Sequence, residues 1–152
     1  MFEAIARGTF SWDISVLAGG AVVASGGISA LRGHGNLYAD GRHFKIVREK
    51  VFKPVILYKE GGETIALATR RNAFTRWFDL VCEDRVFSMK AKNPFSNSFW
   101  VREGGEIVGE VKRTSLFFPR ASVSLPDDIP LHVQYCLIWL AFITWKMYQG
   151  GG

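Results

Sequence analysis

From Tyr135 to Trp145 the chain reads YCLIWLAFITW, about 11 residues without a charge. The run sits in the one segment with clear helical signals. Pro126 ends what precedes it, and Asp127 or Asp128 stands where an N-cap belongs. Pro130 falls in a first turn, where its missing N–H has no intrahelical partner. Lys146 lies near the C-terminal end of the dipole, and Gly150 to Gly152 stop the helix. These signals predict a helix over 129–149. Tyr135, Ile138, Trp139, Phe142 and Trp145 point one way, and Cys136, Leu137, Leu140 and Ile143 cover much of the rest. A helix that is apolar all round belongs in a core or in a bilayer.

Length separates the two. A bilayer core of about 30 Å needs about 20 apolar residues. Between Asp128 and Lys146 there are about 17 uncharged residues, but they include Pro130, His132 and Gln134. The core reading is preferred. The alternative is a tail-anchored protein whose 129–149 helix spans the membrane.

The preceding residues supply something for such a helix to fill. TFSWDISVL alternates, placing Phe10, Trp12, Ile14 and Val16 on one face of a half-buried strand. NLYADGRHFKIV turns at Asp40-Gly41, a type I′ hairpin signal. VILYKEGGETIAL and SFWVREGGEIVGEV turn at Gly-Gly pairs, and FDLVCEDRVFSMKA turns near Glu83-Asp84. Pro119 suits a turn or an edge, not a central strand. About a dozen short strands result.

The hairpins repeat. Gly19-Gly20, Gly61-Gly62 and Gly104-Gly105 are each followed by Val23-Ala24, Ile65-Ala66 and Val108-Gly109, at a spacing of roughly 42 to 43 residues. Phe74 and Phe117 also match between the last two copies. Three such units are too few for an ordinary propeller, which has at least four blades. The expected architecture is mainly β: one domain over 1–152, with strands in 1–125 forming a closed barrel of about twelve strands around a central hydrophobic C-terminal helix.

With this architecture, YKEGGETIALATRR and VREGGEIVGEVKR resemble the strand, glycine turn, strand, basic residue unit of the tubby C-terminal-like superfamily. That superfamily includes the LURP-one-related proteins and the phospholipid scramblases. LPDDIPLHVQYCLIWLAFITWK is similar to the terminal helix of its small bacterial members. The resemblance implies a barrel that binds phosphoinositide headgroups through clustered basic residues. The residues here that follow the repeated strands are Arg70, Arg71 and Arg76, and Lys112, Arg113 and Arg120. They are the candidate lipid-headgroup site. The calcium-associated acidic segment and flanking acylated cysteines of scramblase-like proteins have no counterpart in this chain.

Other chemistry finds less support. No nucleophile elbow, HExxH or Walker A motif is present, so no catalytic residue, cofactor or enzymatic role is assigned. GGAVVASGG has its glycines at the ends of a short strand, and RGHG at Arg32 to Gly35 is too short to carry meaning. His34 and His43 flank one hairpin without a third ligand, so no metal site is assigned. His132 reads as a barrel-mouth histidine. Glu60, Glu63, Glu103 and Glu106 read as solvated turn residues. RRNAFTRWF and KAKNPFSNSFWVR interleave cations with aromatics, but the aromatics are expected to face the core, which ranks nucleic acid below lipid. Phe95, Phe117 and Phe118 fall at loop tips, where aromatics beside cations dip into a membrane interface or fold back as lids.

The leading expectation is a non-enzymatic binding module. The net charge of +5 allows an anionic partner such as lipid headgroups or nucleic acid, but a merely basic surface is the plainer reading of charge alone; an anionic phospholipid or a protein is the candidate partner. Cys82 and Cys136 stand alone, and Glu3 and Asp13 break any N-terminal apolar run. Free thiols and no signal peptide lead us to expect a cytoplasmic protein or one peripheral to the membrane.

Overall fold

The computed structural model describes residues 1–29, 34–49, 54–71, 76–93, 96–115 and 117–149. Arg32, Phe74, Phe95 and Gly150 to Gly152, singled out above, lie outside these residues. Twelve strands run in order: β1 (Phe2–Arg7), β2 (Trp12–Ala18), β3 (Ala21–Ile28), β4 (Gly35–Ala39), β5 (Arg42–Glu49), β6 (Val55–Glu60), β7 (Glu63–Arg70), β8 (Trp77–Cys82), β9 (Arg85–Ala91), β10 (Phe99–Glu103), β11 (Glu106–Arg113) and β12 (Arg120–Ser124). The helix α1 (Leu131–Gln149) follows. Each strand pairs antiparallel with its chain neighbours, and β1 pairs with β12 to close the barrel. Closure removes the free edges that an open sheet would expose.

Alternating strand direction sorts the connections to two ends. One end carries the two-residue turns. Gly19-Gly20, Asp40-Gly41, Gly61-Gly62 and Gly104-Gly105 all have positive φ at both positions. That is the backbone a type I′ turn demands. The other end carries the longer connections. The chain leaves β12 at the tight-turn end, so α1 runs from there toward the long-loop end.

The repeat has a structural meaning. Each Gly-Gly hairpin shifts register two residues before its turn, at Val16/Leu17, Tyr58/Lys59 and Val101/Arg102. The residues left unpaired opposite are Val23, Ile65 and Val108, the apolar residues that mark each copy. Each is a bulge, which bends the strand and re-aims a side chain. All three pack on the core from the tight-turn end. The units are β2–β5, β6–β9 and β10–β12. In the third, the 126–128 turn leads into α1 where a fourth strand would begin, and β1 takes that strand's place.

Inside, every residue from Val133 to Trp145 is buried. A helix with its side chains is about 10–12 Å across, and the wall accommodates it with small residues at Ala4, Ala6, Ala66, Ala68 and Ala121. Polar atoms in this core are paired. Tyr58 Oη donates to the Cys136 carbonyl at 2.9 Å. Trp139 Nε1 donates to the Asn36 carbonyl at 3.0 Å, and Trp145 Nε1 to that of Asn97 at 2.7 Å. Thr144 Oγ1 donates to the Leu140 carbonyl at 2.7 Å. Among the described residues no helix is long and apolar enough to cross a membrane.

Two expectations are corrected. Phe10 does not share the face of Trp12. β2 begins at Trp12, and Phe10 sits in the preceding turn, 80% exposed. The helix begins at Leu131, not 129, and neither aspartate stands at its cap. The Pro130 carbonyl accepts from Val133 N and Gln134 N. Asp128 instead accepts from Arg85 Nη2 at 3.1 Å.

Candidate functional site

The barrel is electrically lopsided. Acidic residues gather at the tight-turn end, at Asp40, Glu60 and Glu63, Glu83 and Asp84, Glu103 and Glu106, and Asp127 and Asp128. All six candidate basic residues stand at the opposite end, joined by Arg7, Arg48 and Lys92. The helix macrodipole fits this division, with its positive N-terminus at the acidic end and its negative C-terminus at the basic one.

At the acidic end two ion pairs repeat 43 residues apart. Arg42 donates to both oxygens of Glu60, at 2.7 and 2.7 Å, and Arg85 to both of Glu103, at 2.8 and 2.7 Å. Each guanidinium also lies over a ring, Phe44 at 4.8 Å and Phe87 at 5.1 Å. Glu60 and Glu103 are therefore structural partners rather than solvated turn residues. The hydrogen bonds from arginine hold both carboxyls below their usual range. His132 stacks on Phe44 at 6.4 Å, and burial, helped by Arg42, lowers its pKa.

The other histidines separate. His43 Nε2 meets Asn36 Oδ1 at 2.9 Å and its ring stacks on Tyr38. The β4–β5 register, with Gly35 opposite Ile46, puts His34 at the far end of the hairpin. No group of three metal-ligating side chains forms among the described residues.

At the basic end the six candidates form two groups, one around β7–β8 and one around β11–β12, with β9 and β10 between. Arg71 makes two bonds to Asp79, at 3.0 and 3.1 Å. Arg76 donates to Asn97 Oδ1 at 3.0 Å. Arg70 follows buried Ala68 by two residues and so shares its inward face. Arg113 also turns inward, 5.1 Å over the Trp145 ring, and burial lowers its pKa. Arg120 pairs with Glu3 at 3.2 Å, half-exposed. Lys112 is exposed on the outside of β11. The end is a broad cationic rim and not one chelating pocket.

The aromatics divide in a way the sequence reading did not anticipate. Phe78 and Phe99 face the core. Trp77 and Trp100 face out, in one cross-strand row with Lys90 between them. Arg71 and Lys90 lie over Trp77 at 3.9 and 4.3 Å, and Lys92 over Trp100 at 4.0 Å. The protein's own cations thus cover these rings. Among the described residues the uncovered aromatics are elsewhere: Phe117 is 88% exposed and Phe118 69%, in the connection before β12, and Phe10 stands in the connection after β1. All three are at the basic end. Phe10 was hidden in the sequence because Phe-Ser-Trp continues the strand alternation into the turn.

No family model matches the chain, and no curated protein or solved structure matches it significantly.

Proposed function

We propose that the protein is a non-enzymatic binding module of tubby-like kind that docks on anionic phospholipid surfaces through the long-loop end of its barrel. One observation carries this reading: Phe10, Phe117 and Phe118 are exposed at the end where the basic residues collect, and nine of the fourteen acidic residues are at the other, with Asp13, Glu49 and Asp79 the acidic residues at the basic end. Cations attract the headgroups, each contributing about 1 kcal/mol near an anionic surface. Exposed rings then enter the interfacial layer, as amphipathic surfaces do. The exposed aliphatics Val22, Val86 and Ile107 lie beside acidic turns, which an anionic bilayer repels. The cationic rim suits a surface of many headgroups better than a single chelated one. Free, buried thiols at Cys82 and Cys136 support a cytoplasmic location at the membrane periphery.

Co-sedimentation with vesicles tests the reading. Binding to vesicles containing phosphatidylglycerol is expected at low salt, with little to pure phosphatidylcholine and release at about 0.5 M salt. Lys112→Gln should weaken it about fivefold, the worth of one surface cation. Equal recovery with neutral and anionic vesicles would sink the proposal.

A further inference from the structure

A cleft of about 640 Å³ opens on the basic end between the connection after β1 and the connection before β12. That volume lies in the range of small-molecule sites, about 300–1,000 Å³. Both walls are tied to β1. Ala6 N donates to the Pro119 carbonyl at 2.8 Å. Gly8, at φ +116°, starts a turn so close that an added Cβ would meet Ser11 O at 2.0 Å. The apolar lining comes from Ile5, Trp12 and Pro119, with Phe117 and Phe118 at the rim. The charged lining is Arg7 and Arg120, and no acidic side chain lines it. Arg7 makes no ion pair among the described residues, although Asp13 stands opposite it in the β1–β2 register, and Arg120 holds only the half-exposed Glu3.

An apolar trough with cations at its wall fits a molecule with one long chain and one negative end. We propose that this cleft binds a monomeric fatty-acid anion, with the chain along Ile5 and Pro119 beneath the phenylalanines, over the nearly buried Trp12. Arg7 and Arg120 hold the carboxylate by charge-assisted hydrogen bonds. The inference goes beyond surface docking but shares Phe117, Phe118 and Arg120 with it.

Calorimetric titration of the full chain with dodecanoate below its micellar concentration tests it. Saturable binding at one site per chain is expected. Dodecanol, which has the chain without the charge, and butyrate, which has the charge without the chain, should each bind at least tenfold more weakly. Arg7→Gln combined with Arg120→Gln should weaken dodecanoate binding about tenfold at an unchanged melting temperature. Phe117→Ser serves as a second variant, on an exposed ring whose loss leaves the core intact, and should also weaken binding. No saturable binding, equal affinity for dodecanol, or indifference to both variants would overturn the proposal. Vesicle co-sedimentation of the same samples separates the two readings. Dodecanoate binding without vesicle binding leaves the cleft assignment standing and removes the membrane one, and the reverse result removes only the cleft.

Discussion

Trp139 is the largest fully buried side chain, and its indole N–H closes a hydrogen bond to β4. Trp139→Ala leaves a void between helix and wall and removes that hydrogen bond. Truncating a buried tryptophan costs about 3–5 kcal/mol. Urea unfolding should show that loss as a lowered midpoint at nearly constant slope, and a midpoint within error of the wild type would show that the helix is not the core. Glu60 and Glu103 make a pH prediction. Their folded pKa values are depressed by Arg42 and Arg85, so folding favours the ionised form. The resulting stability is complete above the ordinary carboxylate pKa of about 4.3 and is lost as pH falls through the depressed folded values. Melting temperatures from pH 7 to pH 3 should fall less steeply for Glu60→Gln with Glu103→Gln than for the wild type, and parallel slopes would refute the pairing. These pairs were illegible in the sequence. Arg42 and Glu60 are 18 residues apart, and nothing in the chain announces the β5–β6 register that joins them.

At the level of elements, the turns were readable because they are chemically demanding. Gly62 has φ 87°, where a side chain with a Cβ is strained by about 1–2 kcal/mol. Gly62→Val should cost roughly that amount. Gly61→Asn should stay within about 0.5 kcal/mol, because asparagine is favoured at the first position of a type I′ turn. Thermal denaturation of the pair checks this, and equal losses would contradict the turn type. Strand alternation was readable too, up to the point where it overran into the turn at Phe10. The bulges were visible only as a repeated Val or Ile after each Gly-Gly pair. Their role appears once the register of three hairpins is compared. The helix start was misplaced because Asp127 and Asp128 resemble a cap. Tertiary pairing with Arg85 takes Asp128, and the Pro130 carbonyl begins the helix.

For the whole molecule, three units spaced roughly 42 to 43 residues apart make a twelve-stranded barrel because β1 supplies the strand that the third unit gives up to the helix. The apolar segment and the amphipathic strands foretold enclosure, since each has a surface that only the other covers. The gathering of most acidic residues at one end was not apparent along the chain, where acidic and basic residues alternate from hairpin to hairpin. It emerges from the up-and-down path, which brings every second connection to the same end. Under the proposed docking that polarity sets the orientation on the vesicle, and a fluorophore at each end measures it. Cys82 and Cys136 are buried, so a cysteine introduced by Phe117→Cys or by Glu106→Cys is the reactive one. Labelled with an environment-sensitive dye, the Phe117→Cys protein should shift to the blue on phosphatidylglycerol vesicles, while the Glu106→Cys protein keeps its aqueous emission. A shift at the Glu106→Cys label, or none at the Phe117→Cys label, would contradict docking through the basic end.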